Sequence, residues 1–185
     1  MTLNEFDWLE KIIKPSLAIF YEDKKTPDLF VRNLHEITLV AEIYYQMRVL
    51  FSEYEKKPDF NLLSIDMEYN RNHDLPKEVF QECRQSSCDN KCCHLRGRNP
   101  ENPENARPDI LIHERNENYN NQVIIEFKKG NNSNGNNDRD KLTYFTCQEA
   151  TYKYKKGFFI ILDQGSRKKI EIYEKGKKLA EEKNH

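Results

Sequence analysis

The chain has 185 residues, of which 37% are hydrophobic and 33% are charged. This length allows one domain with a real core, and the clustering of the apolar residues into runs excludes an intrinsically disordered chain. The formal net charge is -1, which excludes a surface that is basic throughout, so any contact with nucleic acid must come from a local patch.

The compartment follows from the apolar runs and the cysteines. No run approaches the roughly 20 residues that cross a bilayer, and the opening "MTLNEFDWLEKIIKPS" lacks the basic start and apolar core of a signal peptide. Five cysteines without an export signal favour a reducing compartment over a disulfide scaffold. We therefore expect a cytoplasmic protein with no membrane partner, and the sequence leaves its oligomeric state open.

Apolar spacing predicts helices in the first part of the chain. Residues 3–21 have helical spacing that Pro15 interrupts. Residues 29–54 lack Gly and Pro and repeat apolar residues at three- and four-residue intervals, which predicts the longest helix. Residues 61–70 alternate from Leu63 onwards, which predicts a strand.

The middle of the chain changes character. Residues 71–107 contain most of the cysteines and few aliphatic residues, which predicts an irregular insertion with one short helix at about Leu75–Cys83. Residues 109–114 and 122–128 are apolar strands, and the connection "RNENYNN" is short enough for a hairpin.

The last part of the chain predicts a helix and two strands. The polar run "GNNSNGNND" is a loop, and Asp138 or Asp140 caps a helix that runs to about Lys155 and ends at Gly157. Residues 158–163 form a buried strand and residues 168–175 a weaker one, whereas the charged residues after Lys175 form a frayed tail.

The order of these elements predicts an α/β protein with a mixed central sheet flanked by helices. We expect a single domain over residues 1–185, with a helical extension at 1–30. The core is expected at 34–70 and 108–175, and the cysteine-containing insertion at 71–107.

Three charged side chains lie beside the best strand formers. Asp109 precedes one apolar run, and Glu126 and Lys128 end the other. Residues two apart on a strand face the same way, so a hairpin would bring two carboxylates and an ammonium together. Unpaired buried charges are costly, and a hard divalent cation suits such acids. The alternative is an ordinary salt bridge on a solvated strand face.

The motif "RPD…IEFKK" resembles the PD-(D/E)xK nuclease superfamily, with Pro108-Asp109 followed by Glu126-Phe127-Lys128. The segments "DMEYNR", "RPDILIHER", "VIIEFKK", "DKL" and "YKKGFFIIL" are similar to a bacterial branch with an upstream Glu-Tyr-Asn-Arg motif. The resemblance covers about residues 34–162 and implies a restriction-endonuclease-like core. The stretch between Arg71 and Arg107 is longer than that family pattern predicts.

The resemblance also implies roles for individual residues. Asp109, Glu126 and Glu68 would bind Mg²⁺ or Mn²⁺, and with Lys128 they would form the catalytic site. Glu36 on the long helix would be an additional acid, or Glu42 if the helix has another phase.

A second motif is found in some nuclease members of this fold, Gln-x-x-x-Tyr. Gln148 and Tyr152 match it in "QEATY". They are candidate site residues on the helix that follows the second strand of the hairpin.

The cysteine-containing insertion has the donor atoms for a structural Zn²⁺. They belong to Cys83, Cys88, Cys92, Cys93 and His94. The alternative is a loop with unpaired thiols. Basic residues flank this stretch and are the best candidate for a patch that contacts a phosphate backbone; they are Lys91, Arg96, Arg98 and Arg107.

These patterns predict a Mg²⁺-dependent endonuclease that hydrolyses phosphodiester bonds, with DNA favoured over RNA as its partner. The first alternative is a catalytically silent nuclease-fold protein that binds nucleic acid or a protein partner. The second is an interaction protein that works through a zinc-stapled insertion.

Overall fold

A six-stranded mixed sheet organises the chain in a computed structural model, which describes residues 2–24, 26–31, 34–68, 107–130, 135–164 and 169–183. The strands are β1 (Leu63–Met67), β2 (Ile110–Glu114), β3 (Val123–Lys129), β4 (Lys156–Leu162), β5 (Lys169–Glu174) and β6 (Lys177–Lys183). They lie in sequence order across the sheet, and only the β3–β4 pair is parallel. The predicted mixed sheet flanked by helices is confirmed.

The described helices are α1 (Lys14–Glu22), α2 (Thr26–Val31), α3 (Glu36–Glu55) and α4 (Asn136–Thr146). The predicted interruption at Pro15 is wrong, because Pro15 is the second residue of α1 and the helical segment continues across it. A π-helical turn, Leu9–Ile13, leads directly into α1. The single helix expected over 29–54 is wrong: α2 ends at Val31, and His35 has an extended backbone before α3 begins.

The two faces of the sheet have separate cores, because alternate residues of each strand point to opposite sides. Ile125 and Phe127 of β3 pack with α3 and the N-terminal helices. Ile124 of β3 packs instead with Leu142 and Phe145 of α4. Since α4 connects the parallel strands β3 and β4, its first turn lies near the end of β3.

A buried ion pair joins the first turn of α4 to the sheet. Arg139 Nε and Nη2 donate to Glu171 of β5 at 2.8 and 3.0 Å, and the guanidinium lies 4.2 Å from the centre of the Phe159 ring. Burial alone would raise the pKa of Glu171, but hydrogen bonds from Arg139, Lys169 and Tyr173 lower it to about 2. This ion pair sets the position of α4 over the sheet.

The predicted end of α4 is wrong. The helix ends at Thr146, and Gly157 lies in β4. A Cβ atom on Gly157 would lie 3.0 Å from Thr146 Cγ2 and 3.3 Å from Leu142 Cδ2. Gly157 therefore allows α4 to pack closely on β4 and does not cap the helix.

The frayed tail expected after Lys175 is also wrong, because residues 177–183 form β6. Lys175 and Gly176 both have positive φ, 50° and 73°, and connect Glu174 directly to its partner Lys177. Such two-residue turns match the twist of a β-hairpin. The many charges of β6 suit an edge strand, since they discourage pairing with another chain.

The insertion and its zinc hypothesis lie outside the described residues. This applies to the short helix expected at about Leu75–Cys83, to the four clustered cysteines with His94, and to Arg71 and most of the basic patch. Arg107 is described and exposed. Within the described part of the chain, no helix combines the length and apolar character needed to cross a membrane.

Replacing Glu171 with Gln is predicted to destabilise the fold by about 3 kcal/mol at pH 7, because Arg139 loses its charged partner in a buried setting. The carboxylate of Glu171 contributes stability above its ordinary pKa of 4.5, and this contribution is lost as the pH falls towards 2. Urea denaturation at pH 7 and at lower pH should therefore give a difference that shrinks in acid.

The matched control is Glu174→Gln, because Glu174 lies on β5 like Glu171. This variant removes one ion pair, with Lys156 of β4, and should cost under about 1 kcal/mol. Equal losses for both variants would contradict an anchoring role for Glu171.

Candidate functional site

The β2–β3 hairpin brings Asp109 beside Glu126. The last paired position at the open end of the hairpin is Ile110 with Ile125, so the next residues on the two strands are Asp109 and Glu126. The backbone N–H of Phe127 donates to Asp109 Oδ2 at 2.6 Å. The hairpin proposed from the sequence therefore forms with Asp109 directed towards β3.

Glu126 is buried beneath the first turns of α4. Its residue exposure is 2%, and Lys141 Nζ lies 3.0 Å from its Oε1 atom. The direction of this approach does not meet hydrogen-bond geometry, so the contact is an ion pair and no described group donates a hydrogen bond to Oε1. The same ammonium lies 2.9 Å from Asp138 Oδ1, one helical turn away.

Lys128 links the start of α3 to the start of α4. Its Nζ atom lies 3.4 Å from Glu36 Oε1 and 3.5 Å from Asp138 Oδ2. Glu36 Oε2 accepts the backbone N–H of Lys129 at 2.6 Å. Glu36 is therefore the helix acid that reaches this region, whereas Glu42 is exposed and lines a separate cleft with Ile19.

We call these six residues the acid–lysine cluster: Glu36, Asp109, Glu126, Lys128, Asp138 and Lys141. Four carboxylates face two ammonium groups, so the cluster carries two uncompensated negative charges when every group is ionised. The ends of two helices and two strands place these charges together. A divalent cation would balance them.

The ionised forms of two acids of the cluster, Asp109 and Glu126, are disfavoured by their surroundings. Burial raises the pKa of Asp109 from its ordinary 3.8 to about 6, against the lowering effect of the Phe127 N–H. Burial also raises the pKa of Glu126 well above its usual range, and the nearby Asp109 and Asp138 raise it further. Lys141 opposes this shift without cancelling it.

Other buried acids of this sheet behave differently. Asp66 contacts His113 at 3.1 Å and also accepts hydrogen bonds from Arg115. Burial would raise its pKa, but these donors hold it well below its usual range. Protein donors thus outweigh the effect of burial at Asp66 and Glu171, whereas burial outweighs the Phe127 N–H at Asp109 and the Lys141 ammonium at Glu126.

Glu68 lies next to the cluster along the backbone. It directly follows β1 with φ 49°, a left-handed conformation that non-glycine residues rarely adopt, and its N–H donates to the Asp109 carbonyl at 3.0 Å. Its side chain is exposed. The structure therefore places Glu68 beside Asp109, and its assignment as a metal ligand stays a prediction.

Gln148 and Tyr152 lie away from the cluster, beyond the end of α4. Tyr152 is buried and stacks on Phe145 with ring centres 4.7 Å apart, and its carbonyl accepts from Asn121 Nδ2. Asn121 precedes Glu126 by five residues, or about 16 Å of extended chain. The structure does not bring this motif to the cluster, because α4 is shorter than its sequence suggested.

The donor chemistry of the cluster fits a hard cation. The atoms of its acidic residues that could bind a metal are all carboxylate oxygens, which Mg²⁺ and Mn²⁺ prefer. One of them, the buried Glu126 Oε1, accepts no hydrogen bond from a described residue. Among the residues that the structure describes, however, no three His, Cys, Asp or Glu side chains stand close enough to hold an ion as they are. The residues therefore fit a metal in kind and charge, and binding would require side-chain movement.

Sequence reasoning missed Asp138 as a member of this cluster, because it was assigned only as a helix cap. The spacing of Asp138 and Lys141, three residues apart, indicates that they share one face of the helix. Only the packing of α4 on β3 reveals which face meets Glu126.

No family model, curated protein or solved structure matches this chain. Its function is therefore inferred from the geometry of the acid–lysine cluster and from the motifs in the sequence.

Replacing Asp109 with Asn is predicted to stabilise the metal-free protein by about 2 kcal/mol at pH 7, because the buried negative charge is removed. Since the pKa of Asp109 is raised from 3.8 to about 6, the wild-type penalty is fully present above pH 6 and is relieved as the pH falls from 6 towards 4. Chemical denaturation in the presence of a chelator, at pH 7 and near pH 4, measures this difference.

The control is Asp59→Asn, which changes an exposed acid and should leave stability within about 0.5 kcal/mol. A less stable Asp109→Asn protein at pH 7 would mean that the carboxylate is favourable in the fold itself.

Proposed function

We propose that this protein is a metal-dependent nuclease that hydrolyses phosphodiester bonds, with DNA favoured over RNA as substrate. The observation that carries the proposal is the placement of Asp109 beside Glu126 across the β2–β3 hairpin, in a cluster where two ammonium groups face four carboxylates. The order α3, β1, β2, β3, α4, β4 supports the restriction-endonuclease-like core that the sequence resemblance implies. The preference for DNA comes from that resemblance.

The energetic imbalance of the acids supports a bound cation over a purely structural role. Satisfied acids elsewhere in this sheet, such as Glu171, have lowered pKa values, whereas those of Asp109 and Glu126 are raised. A chain gains no stability from such an arrangement, and groups of this kind are typical of functional sites.

Asp109 and Glu126 are the residues that would hold Mg²⁺ or Mn²⁺, with Glu68 as a further acid beside Asp109. When bound, the ion supplies a Lewis acid for the phosphate and lowers the pKa of a coordinated water. The rigid hairpin positions the two acids, because the Phe127 N–H orients the Asp109 carboxylate and α4 covers Glu126.

Lys128 is the residue best placed to meet the substrate. Its side chain is 34% exposed, so the ammonium can reach a phosphate from solution while its stem stays in the cluster. A positive charge there would stabilise the negative charge that develops on the phosphate during hydrolysis. Glu36 would orient Lys128 and the end of β3, since it contacts the ammonium and the next backbone N–H.

Removing any one of three groups is predicted to abolish cleavage. Asp109→Ala, Glu126→Ala and Lys128→Ala should each lower the rate at least about 100-fold, because the ion or the charge stabilisation is lost. The measurement is cleavage of supercoiled, linear and single-stranded DNA, and of RNA, with Mg²⁺ or Mn²⁺ and with chelator.

The matched control is Gln148→Ala, since Gln148 is exposed and lies away from the cluster. This variant should cleave at the wild-type rate. If the wild-type protein leaves every substrate intact with either metal but retards nucleic acid in a gel, the catalytically silent binding protein is correct instead.

A further inference from the structure

Lys141 lies between two carboxylates of the acid–lysine cluster, Glu126 and Asp138. Its ammonium lies 3.0 Å from Glu126 Oε1 and 2.9 Å from Asp138 Oδ1. We propose that Lys141 is a resident counter-ion that holds the metal site in its metal-free state and must be displaced when the metal binds. This inference rests on the proposed function, since it concerns the same site.

The geometry makes the two cations mutually exclusive at this position. A Mg²⁺ or Mn²⁺ ion would lie about 2.1 Å from the carboxylate oxygen that it binds. An ammonium that stays 3.0 Å from the same Glu126 oxygen would then lie within about 5 Å of a doubly charged ion, where repulsion is strong in a partly buried setting. The lysine has to leave for the metal to enter.

Lys141 is the part of this contact that can move. It is a flexible side chain with four rotatable carbons, lies near the start of α4 and keeps 19% of its side-chain surface exposed. Glu126 is fixed in β3, which is paired with a neighbouring strand on each side. Displacement of Lys141 towards solvent therefore requires no change in the sheet.

Lys128 provides an internal comparison within the same cluster. It contacts Glu36 and Asp138 at 3.4 and 3.5 Å, and Glu126 is not among its ion-pair partners. A metal bound by Glu126 and Asp109 would leave Lys128 in place. The two lysines share Asp138 and carry the same charge, but only Lys141 stands at the Glu126 oxygen.

The experiment measures Mn²⁺ binding to the full-length metal-free protein by electron paramagnetic resonance of the free ion. Lys141→Met removes the competing ammonium and keeps similar volume, so it should bind Mn²⁺ at least about 10-fold more tightly than wild type. Lys128→Met removes an equal charge from the same cluster and should tighten binding by less than about 3-fold.

Thermal unfolding supplies a second readout that does not depend on activity. In chelator, Lys141→Met should unfold at a lower temperature than wild type, because Glu126 loses its only ion-pair partner among the described residues. Mn²⁺ should raise its unfolding temperature more than it raises that of wild type. The double variant Lys141→Met/Glu126→Gln should regain stability in chelator and should not bind Mn²⁺ tightly.

The outcomes separate this inference from the proposed function. If wild type binds Mn²⁺ and Lys141→Met binds it equally or more weakly, displacement is wrong and the nuclease proposal stands. If neither protein binds Mn²⁺, the metal-dependent nuclease is wrong and the displacement falls with it. If Lys141→Met does not fold in chelator, the inference requires that Lys141→Met/Glu126→Gln folds in chelator. A double variant that also fails to fold would overturn the inference.

Discussion

A carboxylate buried within β3, with one oxygen that accepts no hydrogen bond from a described residue, is the constraint on which the candidate site depends. Glu126 can remain ionised only while positive charge stands beside it, because burial penalises the charged form. Lys141 supplies that charge in the metal-free protein. The direction of Lys141 and the electrostatic imbalance of the cluster both follow from this one group.

The first two turns of α4 contact two acids of the sheet. Arg139 pairs with Glu171 of β5, while Lys141 pairs with Glu126 of β3. Phe159 of β4 lies between these acids in the strand register, and the Arg139 guanidinium packs on its ring. The helix is thus paired with one acid through a guanidinium and with the other through an ammonium.

The buried acids of this one sheet differ in how well protein donors stabilise them. The acids that join strands, Asp66 and Glu171, have enough donors to stay ionised at low cost. Asp109 and Glu126 have fewer donors, so burial raises their pKa values and their ionised forms weaken the fold. A protein that places its least satisfied carboxylates together keeps binding energy available for a ligand.

The sequence alone determined the class of fold and the hairpin, because strict alternation and apolar runs report which residues face a core. It also determined that Asp109 and Glu126 would be neighbours, since a short connection leaves few registers. Only the tertiary structure decided where α4 ends, that residues 177–183 form β6, and that Asp138 and Lys141 join the cluster. Those outcomes depend on contacts between elements distant along the chain, such as Gly157 against Thr146 and α4 against β3, and local periodicity carries no information about such contacts.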